Sequence, residues 1–188
     1  MNIVIFGPPG AGKGTQSKFI ANKFNLYQLS TGDLLREEIK NKTKLGSEIS
    51  SIINSGELVS DKIVGNLIEK FISNKIYKNK IIFDGYPRTL LQAETLDKLL
   101  KKYEQKINVV LKLSVSLSTV KKRILERKNQ ENRTDDSEEI AIKRYENYEK
   151  SSKPVLSYYN QSNLLKVING EGSISEINNE ISGIIEAI

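Results

Sequence analysis

The 188-residue sequence contains no cysteine, no histidine and no tryptophan. Without cysteine or histidine, the chain cannot build a disulfide framework, a Cys/His zinc site, a cysteine nucleophile or a Ser-His-Asp triad. Histidine is also excluded as a general base. Any catalytic chemistry therefore depends on Lys, Arg, Asp, Glu, Ser, Thr and Tyr side chains and on backbone amides.

Long apolar segments are missing as well. No apolar run approaches the roughly 20 residues that a membrane-spanning helix needs. Met1 and Asn2 lead directly into a short apolar segment, without the basic stretch and small-residue cleavage site of a signal peptide. We therefore expect a cytoplasmic protein that is not attached to a membrane.

The charged residues are more informative. Lys and Arg number 29 against 23 Asp and Glu, and the net charge of +6 indicates an anionic partner, which could be nucleic acid, a membrane or a phosphorylated small molecule. Arginine offers a planar, bidentate fork for phosphate and carboxylate, so its use in a lysine-rich chain marks candidate binding positions. The arginines are Arg36, Arg88, Arg123, Arg127, Arg133 and Arg144.

Short runs rich in Ile, Val, Leu and Phe predict five buried strands. They lie at Ile3–Phe6, Leu26–Leu29, Ile81–Phe83, Val109–Leu113 and Leu164–Ile168. Helical patterns separate them, and strands that alternate with helices predict a three-layer α/β fold around a five-stranded parallel sheet.

The predicted helices include Gly12–Phe24, Leu90–Tyr103 and Leu117–Lys128. Phe19, Ile20 and Phe24 are predicted to share a buried face of the first helix. Helix starts are indicated at Ser30, Asp136 and Ser173, because an acidic residue follows each of them three positions later.

Two stretches depart from simple alternation. Residues 31–73 contain several helical segments and no strand, so we predict a small helical insertion at residues 30–59. Residues 127–136 are dense in charged and amide side chains and have no apolar residue, which predicts a solvated loop.

The segment Gly7–Thr15 reads GPPGAGKGT, follows a predicted strand and opens a predicted helix, which is the context of a P-loop. Glycines let backbone amides approach phosphates closely, and a helix N-terminus favours anions. Lys13 is expected to reach the β- and γ-phosphates of a nucleotide. Gly14 stands where the common pattern has Ser or Thr, and Thr15 follows, which leaves open whether a hydroxyl contacts magnesium.

Further anion-binding positions follow two other strands. Asp84 ends the predicted strand at residues 81–83 and could hold a magnesium-bound water, and Arg88 follows a tight turn. The segment Ser30–Arg36 (STGDLLR) is a capped helix start with an arginine one turn in. Arg123 and Arg127 lie four apart on one helix, where like charges cost about 0.2–0.5 kcal/mol unless an anion lies between them.

Taken together, these motifs resemble those of adenylate kinases, a family of nucleoside monophosphate kinases. The matching segments are GPPGAGKGT at residues 7–15, STGDLLR at 30–36, DGYPRT at 84–89, Gln92, and RTDD at 133–136 leading to Arg144. They cover nearly the whole chain, and all six arginines fall on positions of the family pattern. Tyr86 stands where many relatives have Phe.

The resemblance implies a P-loop NTPase fold with three parts. A CORE would comprise residues 1–29, 60–126 and 136–188, and a helical NMP-binding insertion would comprise residues 30–59. A short LID loop at residues 127–135 would replace the longer, often zinc-binding domain of other relatives, so no zinc is expected. The family default is a monomer that binds neither nucleic acid nor membrane.

The resemblance also implies which residues bind the two nucleotides. ATP would be bound by Gly10, Ala11, Gly12, Lys13, Gly14, Thr15, Arg123, Arg127 and Gly172. AMP would be bound by Thr31, Arg36, Glu57, Leu58, Val59, Gly85, Tyr86, Pro87, Arg88, Gln92, Arg133 and Arg144. Lys13, Arg88, Arg123, Arg127, Arg133 and Arg144 would be the catalytic residues, with Mg²⁺ near Asp84 through water.

The implied reaction is ATP plus AMP giving two ADP. The acceptor phosphate is already anionic near neutral pH, so no general base is needed, which suits a chain without histidine. The alternative within the fold is a UMP/CMP kinase; Thr31 and Thr89 favour AMP, because those relatives tend to carry Ala and Asn there. A kinase of hydroxyl acceptors and a nucleotide-binding regulator without turnover fit the motifs less well.

Overall fold

The structure of the protein, a computed structural model, describes residues 1–131 and 137–188, and residues 128–131 by their backbone alone. Five strands form one parallel sheet in the order β2-β3-β1-β4-β5. They are β1 (Ile3–Phe6), β2 (Tyr27–Ser30), β3 (Ile81–Asp84), β4 (Val109–Ser114) and β5 (Leu165–Asn169). The predicted five-stranded parallel sheet is confirmed, and each predicted strand end lies within one residue of the observed one.

Helices connect the strands and cover both faces of the sheet. They are α1 (Lys13–Phe24), α2 (Thr31–Lys40), α3 (Lys44–Asn54), α4 (Asp61–Ile72), α5 (Leu90–Lys102), α6 (Leu117–Glu131), α7 (Glu138–Gln161) and α8 (Ile174–Glu186), with a short 3-10 turn at Lys75–Tyr77. The stretch from residue 31 to 73 is helical without a strand, as predicted. No helix among residues 1–131 and 137–188 is long and apolar enough to cross a membrane.

The N-terminal caps test the predicted helix starts. Ser30 accepts a hydrogen bond from the Asp33 amide at the start of α2. Ser173 and Glu176 form a complete capping box at the start of α8. The start predicted at Asp136, which lies outside the described residues, is wrong by one position, because the cap of α7 is Ser137.

The polar stretch predicted as a loop from residue 127 begins as helix. α6 continues to Glu131, three residues beyond the predicted end at Lys128. Residues 127–131 contain no Gly or Pro, and Arg, Lys, Gln and Glu have high helix propensity, so the helix extends without an apolar face. The rest of the predicted LID loop, residues 132–135, lies outside the described residues.

The core has two halves because alternate residues of each strand point to opposite faces. On β1, Val4 and Phe6 pack with α2 to α5 and α7 on one face, whereas Ile3 and Ile5 pack with α1 and α8 on the other. These four side chains are at most 5% exposed. The central strands β1, β3 and β4 are therefore buried on both sides, as their apolar runs predict, whereas the edge strands β2 and β5 are only partly buried.

One side chain of α1 departs from its predicted burial. Ile20 is fully buried, but Phe19 is 50% exposed. Adjacent helical residues point about 100° apart, so only one of the two faces the sheet.

α7 is the longest described helix, with 24 residues, and it joins the core to the candidate site. Near its C-terminal end, Val155 and Tyr159 are fully buried, and the Tyr159 ring centroid lies 6.4 Å from that of Phe6. The Tyr158 hydroxyl donates to Asp97 at 2.8 Å. These tyrosines therefore attach α7 to the sheet and to α5. Nearer its N-terminal end, α7 carries Arg144.

Candidate active site

The P-loop lies between β1 and α1 at the carboxyl edge of the sheet. Gly12 is the N-cap of α1 with φ +90°, a left-handed conformation that favours glycine, and it brings no side chain to cap the helix. Gly10 also has a positive φ, +77°, and a Cβ on it would be 3.2 Å from the Val120 carbonyl oxygen. The loop therefore depends on small residues at a helix N-terminus, the arrangement that receives phosphate.

Lys13 folds back over this loop. Its Nζ donates to the carbonyl oxygens of Gly7 at 2.8 Å and Pro8 at 2.9 Å. Burial lowers the pKa of Lys13 to about 8, with Asp84 opposing the shift and nearby arginines adding to it. The ammonium group is thus incompletely compensated by protein groups, and an anion at the loop would stabilise its charged form.

Asp84 lies at the end of β3, next to the P-loop. It is 7% exposed, and its Oδ2 accepts from the Gln28 side-chain amide at 3.0 Å. A Cβ on Gly14 would lie 3.7 Å from the same oxygen, so the residue after Lys13 faces this acid. Thr15 is exposed at the surface of α1.

A pocket opens between the insertion, the β3–α5 turn and α7. It brings together most of the residues assigned to AMP by the resemblance. Lining it are Thr31, Gly32, Leu35, Arg36, Ile53, Gly56, Glu57, Leu58, Val59, Val64, Gly85, Arg88, Gln92 and Arg144. Arginines at its wall and apolar side chains at its base suit a ligand with a phosphate and a flat apolar ring.

The β3–α5 turn shapes the wall of this pocket. Gly85 has φ +79°, and a Cβ there would be 3.0 Å from the Thr31 hydroxyl oxygen and 3.1 Å from Arg88 Nη2. The Gly85 carbonyl accepts from Thr31 Oγ1 at 3.0 Å and from Arg88 Nε at 2.7 Å. Only glycine fits this conformation and close approach without displacing both side chains.

Neither Tyr86 nor Pro87 is among the residues that line this pocket. Tyr86 is 1% exposed, and its hydroxyl donates to the Gln92 carbonyl at 3.3 Å. Burial raises the pKa of the Tyr86 hydroxyl. The buried Tyr86 side chain therefore supports the β3–α5 turn from the side of the core.

The arginines concentrate positive charge between the P-loop and the pocket. Burial lowers the pKa of Arg88, and the nearby Arg144 and Arg36 add to the shift, while Asp84 opposes it. Arg88, Arg127 and Arg144 also lie close enough to Lys13 to lower its pKa. Such a cluster is stabilised by a polyanionic ligand.

Arg36 and Arg144 both contact residues of the insertion. Arg36 Nη2 pairs with Asp33 on the same helix at 2.5 Å. Arg144 lies against the insertion, since a Cβ on Gly56 would be 3.4 Å from Arg144 Cγ. Beside it, Lys143 pairs with Glu57 at 2.7 Å.

Arg123 links the P-loop to the segment that follows β5. Its Nη2 donates to the Gly170 carbonyl at 3.0 Å and its Nη1 to the Ala11 carbonyl at 3.5 Å. Gly172 follows in the same segment, where a Cβ would be 3.3 Å from Glu176 Oε2. The remaining predicted site residue, Arg133, lies outside the described residues.

Sequence reasoning missed two groups of residues. Leu35, Ile53 and Val64 form the apolar base of the pocket, and they looked like ordinary core residues. Gln28 and Asp61 hold Asp84 and Gln92 by hydrogen bonds. In the sequence, the only indication of Gln28 is that it is a polar residue within a strand. The only indication of Asp61 is that it is an acidic residue at a helix start.

A divalent cation has one candidate protein partner at the edge of the sheet. Among the described residues, no group of three or more acidic side chains could hold a metal ion. Mg²⁺ commonly takes one or two carboxylates together with substrate phosphates and water. Asp84, a carboxylate beside the phosphate loop, suits that mode.

Comparison with known proteins agrees with this geometry. The family model described as "Adenylate kinase" matches residues 5–164. A Pelagibacter ubique protein named adenylate kinase is 42% identical, over 99% of this chain and all of its own. The proteins of that name from Methanothrix thermoacetophila and Flavobacterium psychrophilum are 38% and 39% identical, each over 98% of both chains.

These matches cover nearly all of this chain and nearly all of each relative. They therefore include the P-loop, the residues that line the pocket, and α7. The names carried by these relatives do not favour the UMP/CMP kinase alternative. The chain therefore belongs to the adenylate kinase family and is a phosphotransferase whose acceptor is a phosphate group.

Proposed function

We propose that the protein catalyses the reversible, magnesium-dependent reaction of ATP with AMP to give two ADP. The observation that carries the proposal is the position of Lys13 and Arg88. These two residues belong to the P-loop and the acceptor pocket, at the ends of adjacent strands, and they are close enough for Arg88 to lower the pKa of Lys13. Two phosphate-bearing ligands bound there would meet end to end.

The donor is assigned to the P-loop side. Backbone amides of Gly10–Thr15 would surround the β- and γ-phosphates, and Lys13 would leave its two carbonyl partners to pair with them. Arg123 and Arg127 on α6 and the backbone near Gly172 would complete this side. Arg123 already holds the P-loop to the segment after β5, so the donor would meet a largely pre-formed surface.

The acceptor is assigned to the pocket. Arg36 and Arg88 would bind the phosphate of AMP, while Thr31, Gln92 and the Glu57–Val59 stretch would surround its nucleoside. Leu35, Ile53 and Val64 offer an apolar surface for the base. Tyr86 and Pro87 would support the turn that carries Arg88.

Phosphoryl transfer here needs positioning and charge compensation more than proton transfer. The attacking acceptor oxygen is anionic, and Lys13, Arg88, Arg133 and Arg144 would balance the charge on the transferring group. Magnesium, held by Asp84 through water, would add charge neutralisation on the donor phosphates. Gln28 fixes Asp84 by its hydrogen bond at 3.0 Å.

We also assign the parts of the chain to the three units of the family. Residues 30–59 act as the AMP-binding insertion, residues 127–135 as a short LID, and the remainder as the CORE. Closure of the first two would exclude water, which would otherwise compete as phosphoryl acceptor.

The test is the initial rate of ADP formation from Mg-ATP with AMP, CMP, UMP or GMP. A rate with AMP far above the other three supports the proposal. Faster turnover of CMP or UMP would assign the chain to pyrimidine monophosphates. Absence of turnover with all four, while ATP still binds, would mean a nucleotide-binding regulator.

A matched pair of variants distinguishes loss of the Lys13 ammonium group at the P-loop from loss of one positive charge elsewhere on α1. Lys13→Met removes the P-loop ammonium group, and we expect a rate loss of about a hundredfold or more, because charge stabilisation of the transition state is lost. Lys18→Met makes the same change at an exposed position of α1 and should retain the wild-type rate.

We further propose that the protein acts as a cytoplasmic monomer on free nucleotides, without nucleic acid or membrane partners. Sedimentation equilibrium at micromolar concentration should give a mass near 21.2 kDa. A mass of twice that value would contradict the monomer.

A further inference from the structure

Gln92 lies in the first turn of α5 with both ends of its side-chain amide held. Its Nε2 donates to Asp61 Oδ1 at 2.6 Å, and its Oε1 accepts from the Arg88 backbone N–H at 2.6 Å. The residue is 3% exposed, and it lines the acceptor pocket. The amide is therefore tightly positioned before any ligand arrives.

Each hydrogen-bond partner of this amide can play only one role, as acceptor or as donor. A carboxylate can only accept hydrogen bonds, and a peptide N–H can only donate. Turning the amide over would place its oxygen against the Asp61 carboxylate and its NH₂ group against the Arg88 N–H. Both contacts would become repulsive, so Asp61 and the Arg88 amide determine which end is oxygen and which is nitrogen.

Asp61 is itself held in place. It lies in the first turn of α4, which packs beside α5, and its Oδ2 accepts from the Thr89 hydroxyl at 3.3 Å. Thr89 in turn caps α5 by accepting from the Gln92 backbone N–H at 3.2 Å. The carboxylate, the cap and the amide thus form one connected network between two helix starts.

This orientation matters for a purine base. Each end of the amide retains one unused group, an N–H on Nε2 and a lone pair on Oε1. The edge of adenine offers an acceptor at N1 and a donor at the 6-amino group, whereas hypoxanthine and guanine offer a donor at N1 and an acceptor at O6. A fixed amide can match one of these patterns and opposes the other.

We propose that Asp61 is a positioning residue that sets the orientation of the Gln92 amide, and through it the preference for a 6-aminopurine acceptor over a 6-oxopurine. The proposal rests on the assignment of the acceptor pocket to AMP. It adds a residue from α4, outside the insertion and outside the β3–α5 turn, to the determinants of base specificity.

The experiment compares AMP with IMP, which has the same ribose and phosphate but the reversed edge. The measured quantity is the ratio of kcat/KM for AMP to that for IMP. Asp61→Leu keeps the branch at Cγ but removes both acceptor oxygens, and we expect the ratio to fall by about tenfold or more, mainly through a higher KM for AMP. Asp61→Asn keeps an acceptor oxygen and should restore most of the ratio.

Asp97→Leu is the matched control. Asp97 is also a partly buried carboxylate with a hydrogen bond, to Tyr158 at 2.8 Å, but it lies towards the other end of α5. Its substitution should leave the AMP/IMP ratio at the wild-type value. The ATP dissociation constant and the far-ultraviolet circular dichroism of each variant show that the P-loop and the fold are intact.

The outcomes are distinct. An unchanged ratio in a folded Asp61→Leu protein that still binds ATP overturns the inference, as does an equal loss in Asp61→Leu and Asp61→Asn. If the wild-type protein does not phosphorylate AMP at all, the proposed function has failed. An AMP-active wild type with an unchanged ratio in Asp61→Leu means that only the role of Asp61 has failed.

Discussion

A Cβ atom on Gly46 would lie 2.1 Å from the carbonyl oxygen of Glu38, and this distance measures how closely α3 packs against the end of α2. No side chain fits there unless the two helices separate. We expect Gly46→Ala to lower the free energy of unfolding by about 3 kcal/mol. Urea unfolding followed by circular dichroism measures the change, and the KM for AMP should rise because α2 and α3 form the acceptor side.

Gly183→Ala is the control for this substitution. Gly183 lies inside α8, and a Cβ there would have no atom within 4 Å. Alanine has the higher helix propensity, so we expect a gain of about 0.5–1 kcal/mol in the same experiment. Equal effects of the two substitutions would contradict the close packing of α2 and α3.

Lys13 predicts a pH dependence of stability and binding. Its pKa is about 8 in the folded protein and 10.5 ordinarily, so the unfolded chain binds more protons between these values. The free energy of unfolding should therefore contain a contribution that rises from pH 8 to 10.5. Phosphates favour the charged amine, so ATP affinity should fall as the pH rises above 8.

Isothermal titration calorimetry of ATP binding from pH 7 to 9.5 measures the second effect. Lys13→Gln should bind ATP more weakly at pH 7, and its affinity should change less with pH over this range. A Lys13→Gln profile parallel to that of the wild type would assign the pH dependence to another group.

Asn2 is a fully buried polar residue that joins three segments. Its Oδ1 accepts from the Ile81 amide at 3.1 Å, and its Nδ2 donates to the Lys106 carbonyl at 3.1 Å. Asn2→Leu would leave both backbone groups unpaired, and we expect a loss of about 2–4 kcal/mol. The same change at the exposed Asn179 should cost under about 0.5 kcal/mol in thermal unfolding.

Replacing either of two serines at α8 with alanine should change the free energy of unfolding, and the two changes should have opposite signs. Ser173 caps the helix and accepts from the Glu176 amide, so Ser173→Ala should cost about 1 kcal/mol. Ser182 is buried, and within the described residues its hydroxyl has no hydrogen-bond partner. Ser182→Ala should therefore stabilise the protein by up to about 1 kcal/mol, measured by urea unfolding. Destabilisation by Ser182→Ala would reveal a partner for that hydroxyl.

The sequence allowed the sheet to be predicted closely, because apolar runs such as Ile3–Phe6 are bounded by glycines and polar residues. It placed Lys13 and Arg88 at the edge of the sheet, since parallel strands end there. The contacts between Gln28 and Asp84 and between Asp61 and Gln92 depend on strand register and helix packing, which local patterns do not determine. The end of α6 was misplaced because helix propensity continued where apolar periodicity stopped.

α7 couples the positions of Arg144 and Tyr159, because both residues belong to this one helix. The two residues are 15 positions apart on one helix, about 22 Å at the usual rise. Arg144 lines the pocket, whereas Tyr159 is clamped against Phe6 beneath the sheet. A substitution that changes the packing at the buried end of α7 would therefore move Arg144. We expect it to slow turnover even where the protein still folds. The packing beneath α7 therefore bears on the position of Arg144 as well as on the stability of the fold.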